Sequence, residues 1–545
     1  MKKLKEKIFN FFSFDYELIL HLIPIWVSVL CFRIIYFNFK DSTDYGNIKD
    51  SLIYPLLATC IAFVILKFIK KGFLYSVVLN QIKVLYVYTI FFITNLDLKY
   101  ILIYHLVIAL FVFVYDFKKH FNIKENITNL ILLFFSVLIL FTHNTQNGVL
   151  SIHNNKPIVD GFSEGISYNS AYYYYSNPSQ ISKYYFLPVI KYVGEPFHII
   201  QEDPYIPNSS FSSTLKVYTH YPAGSDLINF VLISILGPSK EIGIDPALSL
   251  DKFRFFPLII FIIGFIFFRK FLNITLNNNW LSYLIALLIF LIPAFDRYKL
   301  SLYYYSYAFS LMLIMYFVTA KYLIKPKKLL LILLFIMGIV QMWFSFDLLP
   351  MILISIFSIS FLPFVKNIKS ILVKPSIMVL LGFIAGFIMR LFHNNLYFNN
   401  WGNTITELIN TFLWRSTGTY AGMAPDSFYI EQILRNYNST YITSNLFFGI
   451  QIQVFAFILL VILALLIYKL RVDKYKRLFL YLLLSIVSSY IWVYVMRNHS
   501  AIHYFVLTRQ FAPMFIAIFI TIFILLSDLL SISKKNNLTV YKNDK

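Results

Sequence analysis

Long apolar runs recur along the chain with short lysine and arginine clusters between them, and this alternation leaves few folds open. Runs of sufficient length for a helix to cross a bilayer lie near residues 17 to 37, 52 to 69, 73 to 95, 99 to 116 and 127 to 143. They resume at 253 to 270, 277 to 295, 300 to 322, 328 to 345, 348 to 365, 375 to 393, 446 to 468, 477 to 495 and 506 to 531. At roughly 20 apolar residues per span, the expectation is an all-α polytopic membrane protein of about fourteen transmembrane helices. Composition agrees, since 59% of the 545 residues are hydrophobic and only 13% charged, against roughly 25% charged in soluble domains. The formal net charge of +21 is spread over the clusters and forms no basic domain, which argues against a nucleic-acid partner.

Clusters such as Lys67/Lys70/Lys71, Lys118/Lys119/Lys124, Lys366/Lys369/Lys374 and Arg471/Lys474/Lys476/Arg477 fall on one side of the expected topology. The positive-inside rule makes that side the cytoplasm. Three polar stretches then share the outer face: a large loop over 144–252, a second outer loop over 394–445, and the turn from Arg497 to Arg509. The run Leu227 to Gly237 is too short to span and reads as an interfacial helix within the large loop. The resulting division is accessory N-terminal helices over 1–126, a core with the large loop over 127–393, the second loop over 394–445, and C-terminal helices with a cytoplasmic tail over 446–545. A multi-pass protein of a bacterial cytoplasmic membrane is expected, its site on the extracytoplasmic face. Cys31 and Cys60 lie inside expected spans and indicate neither a metal site nor a disulfide framework.

The outer loops hold most of the residues able to do chemistry. Asp160, soon after the fifth run, can be partly desolvated yet reachable, as a general base requires, and Glu164 is one helical turn further on. The same residues also suit a turn at Asp160-Gly161 with Asp160 or Ser163 as a helix cap. His220, in the rigid turn Thr219-His220-Tyr221-Pro222-Ala223-Gly224, and Asp226 are candidates for substrate contact, with Ser225 or Asp226 equally suited to capping. Arg497, His499, His503 and Arg509 crowd the outer ends of the last two runs, a costly placement unless they meet an anion. Arginine's planar fork suits phosphate oxygens, so a lipid phosphate is a natural partner.

Arg390, Asn394, Asn395, Trp401 and Arg415 form a second tier on the same face, with snorkelling to headgroups accounting for Arg390. Asp296-Arg297 and Asp347 belong to that tier too. Tyr172 to Tyr175 and Tyr303 to Tyr305 read as an interfacial belt before a sugar-stacking platform. Two histidines four apart without a nearby carboxylate are a weak metal signal, so no metal ligands are assigned and a divalent ion as cofactor stays open. No P-loop or GxGxxG fingerprint supports a nucleotide-powered mechanism.

In layout the region from about 127 to 531 resembles the GT-C superfamily of polytopic glycosyltransferases. The resemblance rests on Asp160 with Glu164 at the start of a first large outer loop and on His220-Tyr221-Pro222-Ala223-Gly224 before an interfacial helix. Phe253-Arg254-Phe255-Phe256-Pro257 at the next span, Ile292-Pro293-Ala294-Phe295, and the turn from Arg497 to Arg509 complete it. Four additional N-terminal runs and an Asp-x-x-x-Glu spacing in place of an adjacent acidic pair depart from that layout. The resemblance implies inverting transfer of a sugar from a polyprenyl-phosphate donor to a glycan, lipid or protein acceptor. Asp160 would be the base, and Arg497, His499, His503 and Arg509 would hold the leaving phosphate. Two rivals are a lipid-linked polysaccharide polymerase or ligase, and a flippase or transporter of lipid-linked sugars. The second usually carries ionisable groups deep within spans, of which Lys83 with Asn80 is the pronounced case here.

Overall fold

The protein's structure, a computed structural model, describes residues 125–146, 161–190, 216–217, 223–238, 251–290, 304–346, 348–365, 373–417, 471–496 and 510–525, with isolated positions between them. The chain divides into one unit of residues 1–143 with 442–458 and another of 144–441 with 459–545. In the first, α1 (Glu125–Gln146) is preceded by an ion pair between Lys118 and Glu125. The second unit holds the remaining elements and the site.

The described residues of the large loop form α2 (Gly161–Ser176), a 3-10 turn, α3 (Ile181–Tyr184), strands β1 (Val189–Ile190) and β2 (Lys216–Val217), and α4 (Gly224–Leu236). The strands pair antiparallel, Val189 opposite Val217 and Ile190 opposite Lys216. Then follow α5 (Asp251–Leu276), α6 (Asn279–Phe290), α7 (Tyr304–Ile324), α8 (Lys328–Phe344), α9 (Leu349–Ile359), α10 (Lys374–Phe398), α11 (Trp401–Thr417), α12 (Asp473–Val495) and α13 (Ala512–Leu525).

The expectation of about fourteen spans is corrected. Among the described residues three helices are long and apolar enough to cross a membrane, Phe253–Leu276, Tyr304–Ile324 and Lys374–Phe398. Hydropathy cannot separate apolar surface that faces lipid from apolar surface that faces protein. The run at 348 to 365 holds a helix of only 11 residues, and at 1.5 Å per residue such a helix falls well short of a hydrocarbon layer roughly 30 Å thick. The continuous apolar stretch from 328 to 365 is broken where Ser345 turns extended and ends α8. A small sheet also qualifies the all-α reading. The described chain is that of a helical, membrane-associated protein with a few apolar helices. The runs before residue 99, and most of 446 to 468, lie outside the described residues, as do Cys31, Cys60, Asn80 and Lys83.

Aromatic packing builds the centre. Phe261, Phe265 and Phe268 of α5 surround Phe290 of α6 at ring separations of 5.1 to 5.9 Å, and Phe309 of α7 meets it edge-on at 6.0 Å. Gly264 lets the α7 backbone at Ser310 approach α5. Glycine also sets the crossing of α8 and α10. A Cβ at Gly338 or Gly382 would collide with the backbone carbonyl of Val379 or Phe335 respectively. These small residues let the two helices pack backbone to backbone. The remainder of α10 turns outward, with Ile377, Leu381, Ile388, Phe392 and Leu396 exposed.

Candidate functional site

The turn Asn399-Asn400 explains how a long apolar helix becomes one wall of a polar site. Asn399 adopts a left-handed conformation at φ 47° and its N–H returns to the Asn395 carbonyl at 2.8 Å, ending α10. Asn400 then caps α11, its Oδ1 accepting from the N–H groups of Gly402 at 2.7 Å and Asn403 at 3.3 Å. The pattern of α11 is inverted with respect to a water-soluble amphipathic helix. Thr404, Thr411 and Arg415 point inward and are buried, whereas Ile405, Ile409, Phe412 and Leu413 are exposed. That arrangement suits an apolar environment outside and a polar one within.

Between α10, α11, the start of α9 and the end of α12 lies a cavity of about 650 Å³. Its apolar lining includes Leu380, Phe383, Ile384 and Phe387 of α10, Leu349 and Pro350 of α9, and Trp492 of α12. Into it project Arg390 and Arg415, at 9% and 4% exposure. Both guanidiniums lie against the ring of Phe346, at 5.3 Å and 4.6 Å from its centroid, and desolvated contacts of this kind contribute up to about 2 kcal/mol each. Phe346 can serve both because it sits in the non-helical break between α8 and α9. Arg390 also donates to the Thr219 carbonyl at 3.4 Å, and Asn394 Nδ2 donates to the same oxygen at 3.0 Å.

Several buried polar atoms at this end of the cavity have no hydrogen-bond partner among the described residues: Arg415 Nε, Asn394 Oδ1 and Thr411 Oγ1. Arg415 has no ion-pair partner among those residues either. Two like charges close together in an apolar enclosure are costly, and an anion set between them offsets both desolvation and repulsion. Glu407, the acidic residue of the lining, has its carboxyl pushed above the ordinary value by burial.

Snorkelling therefore does not account for Arg390, which is buried inside the protein, and the second-tier group of Arg390, Asn394 and Arg415 forms the best-developed site among the described residues. Phe346 and Thr411 escaped sequence reasoning. The spacing of Thr404, Thr411 and Arg415 along one helical face, opposite an apolar face, was the signal available.

Asp226 sits elsewhere, at the packing of α2 on α4. It does not cap α4; its carboxylate is buried and accepts from Ser167 Oγ at 2.6 Å and Ser225 Oγ at 3.3 Å. Asn229 Nδ2 donates to Ser167 Oγ at 2.9 Å and to the Leu302 carbonyl at 3.2 Å, tying α2, α4 and the segment before α7 together. Burial pushes the Asp226 carboxyl up to about 7, against the opposing hydrogen bonds of Ser167, Ser170 and Ser225. Glu164 is the fourth residue of α2, its side chain outside the described residues. Asp160, His220, Arg497, His499, His503, Arg509, Asp296, Arg297 and Asp347 also lie outside them. Two of these immediately follow described residues that line the cavity, His220 after Thr219 and Arg497 after Met496. Arg254, which opens the span quoted in the family resemblance, is buried at the start of α5, where Phe253 packs 5.3 Å from Tyr168 of α2.

Among the described residues no group of three or more His, Cys, Asp or Glu is placed to hold a metal ion. Fold and site thus define a class, a helical membrane-associated protein with an arginine-bearing apolar cavity. No protein-family model matches the chain, and neither a curated protein nor a solved structure is significantly similar to it.

Proposed function

We propose that the protein is a GT-C-like membrane glycosyltransferase that passes a sugar, with inversion, from a polyprenyl-phosphate donor to an acceptor at the outer face of the membrane. The observation that carries this reading is the cavity in which Arg390 and Arg415 stand over apolar walls with unsatisfied polar atoms beside them. That combination suits an anion attached to a hydrocarbon chain. In the reaction the acceptor hydroxyl oxygen attacks the anomeric carbon, the bond from that carbon to the phosphate oxygen breaks, and its electron pair leaves with the lipid phosphate. Asp160 takes the hydroxyl proton. Arg390 and Arg415 stabilise the charge that develops on the departing phosphate, preorganised on Phe346 so that little reorganisation is needed as the bond breaks. As the family resemblance implies, Arg497, His499, His503 and Arg509 supply further cationic groups and His220 contacts the sugar or acceptor. Since the donor is already activated, the protein's contribution is positioning and electrostatics.

The test is release of polyprenyl phosphate by purified protein in nanodiscs supplied with a panel of polyprenyl-phosphate sugars and outer-face acceptors. Donor-dependent release that falls at least a hundredfold in both Asp160→Asn and Arg415→Gln supports the reading. Release at the wild-type level in both folded variants removes it.

A further inference from the structure

We infer that the cavity takes a single hydrocarbon chain of a lipid phosphate sideways from the membrane and seats roughly 15 Å of it along α10 below the two arginines. This rests on the reading of the cavity as a lipid-phosphate site and adds how the lipid reaches it and how much of the lipid is recognised.

Polarity along the cavity is segregated. Arg390, Asn394, Thr411 and Arg415 supply the polar end, Thr219 and Glu407 being the other polar members of the lining, and the atoms left without partners among the described residues there belong to three of the first four. Below that end α10 presents Leu380, Phe383, Ile384 and Phe387, spaced to form one stripe on the helix. Leu380 precedes Arg390 by ten residues, which at 1.5 Å per residue sets the depth of the floor at roughly 15 Å. A free anion would satisfy the arginines and leave this stripe bare. Residues of α9, α11 and α12 complete the apolar wall, and the volume of about 650 Å³ falls within the roughly 300–1,000 Å³ of small-molecule sites, room for one chain more readily than for the paired chains of a phospholipid.

The route in is visible in side chains that both line the cavity and reach the outer surface. Ile384 of α10 is 47% exposed, and Ile409 and Phe412 of α11 are each 50% exposed. The cavity therefore has an apolar mouth between α10 and α11, on the same outward surface as Ile377, Leu381 and Ile388. Water offers no advantage to a chain leaving the bilayer through such a mouth; lipid on one side and protein on the other keep it continuously covered.

Binding to the full-length protein in phosphatidylcholine nanodiscs is measured calorimetrically with inorganic phosphate, with geranyl, farnesyl and geranylgeranyl phosphate, and with dioleoyl phosphatidic acid. Affinity is expected to rise at least tenfold from inorganic to geranyl phosphate and again to farnesyl phosphate, then change less than threefold to geranylgeranyl phosphate. Phosphatidic acid should bind at least tenfold more weakly than farnesyl phosphate. Ile384→Trp, which narrows the mouth, should reduce the gain from chain length at least tenfold more than it weakens inorganic phosphate, and Arg415→Gln should weaken every ligand. Equal affinity for inorganic and farnesyl phosphate, an undiminished gain beyond farnesyl, or an unaltered chain-length profile in Ile384→Trp would overturn the inference. Because no sugar is present, a plateau at farnesyl without glycosyl transfer from any donor would sink the transferase reading alone, and transfer without chain-length dependence would sink this inference alone.

Discussion

Asp226 and Arg415 are both buried charged residues in a largely apolar protein, yet their surroundings differ in kind. Around Asp226 the chain closes up: Ser167, Ser170 and Ser225 face the carboxylate and Asn229 braces Ser167, although Asp226 Oδ2 and Asn229 Oδ1 find no partner among the described residues. The residue lines no part of the cavity described above. Around Arg415 the chain stays open, with an aromatic ring beneath the guanidinium, a space beside it and a nitrogen left unsatisfied. Both groups keep an unsatisfied atom, so the distinction lies in space: a buried charge points to a ligand when a cavity adjoins it, and to architecture when none does.

The sharpest test of that contrast is a pair of substitutions. Arg415→Gln should lower donor-dependent release of lipid phosphate by two orders of magnitude or more, in line with the roughly 2–5 kcal/mol lost when one partner of a buried charge pair is truncated. Asp226→Asn, assayed at neutral pH, should leave release within about threefold of wild type, an estimate that follows from a carboxyl already half-neutral near pH 7. Loss of turnover in a folded Asp226→Asn protein would erase the distinction.

The next largest effect should come from the scaffold beneath the cavity. Gly382→Ala drives a methyl into the Phe335 carbonyl, and overpacking of this kind costs typically 1–3 kcal/mol, so thermal unfolding in detergent should move several degrees downward. Gly237→Ala tests a different property, since a Cβ there meets no atom within 4 Å but φ is +73°; its smaller cost should come from backbone strain alone.

Stability against pH separates the two regions again. The folded carboxyl of Asp226 holds its proton up to about 7, higher than in the unfolded chain. Between pH 4 and 7 the folded state therefore binds more protons, and stability falls as pH rises through that window. Asp226→Asn should flatten this part of the profile, as read by unfolding midpoints at successive pH values, and a slope unaltered by the substitution would contradict the assignment. Smallest of all, Asn400→Ala removes the cap of α11 and should cost about 1 kcal/mol, seen as a modest shift in the same melting assay.

Much of the layout was legible in the residues. The short apolar run near Leu227 is a helix too short to span, and apolar helices do occur at 253, 304 and 374. Span counting failed where burial and lipid exposure look alike: α9 is apolar because protein surrounds it, and nothing in hydropathy records the break at Ser345. The site was half legible. Arg390 and Arg415 stood out as arginines near apolar sequence, but their convergence on Phe346 depends on how three segments meet, which no local pattern encodes. Asp226 was recognisable as a residue of interest, whereas its enclosure by serines 59 positions away, such as Ser167, was not.

The glycine crossing of α8 and α10 has a mechanical consequence for the arginines. Helices locked backbone to backbone at Gly338, Gly382 and Gly386 behave as one beam, and Arg390 is carried on it. Arg415 rides instead on α11, joined to that beam through the bend at Asn399-Asn400. The two cations thus stand on separately positioned helices, and the angle of the bend at Asn399-Asn400 sets how the two guanidiniums face one another.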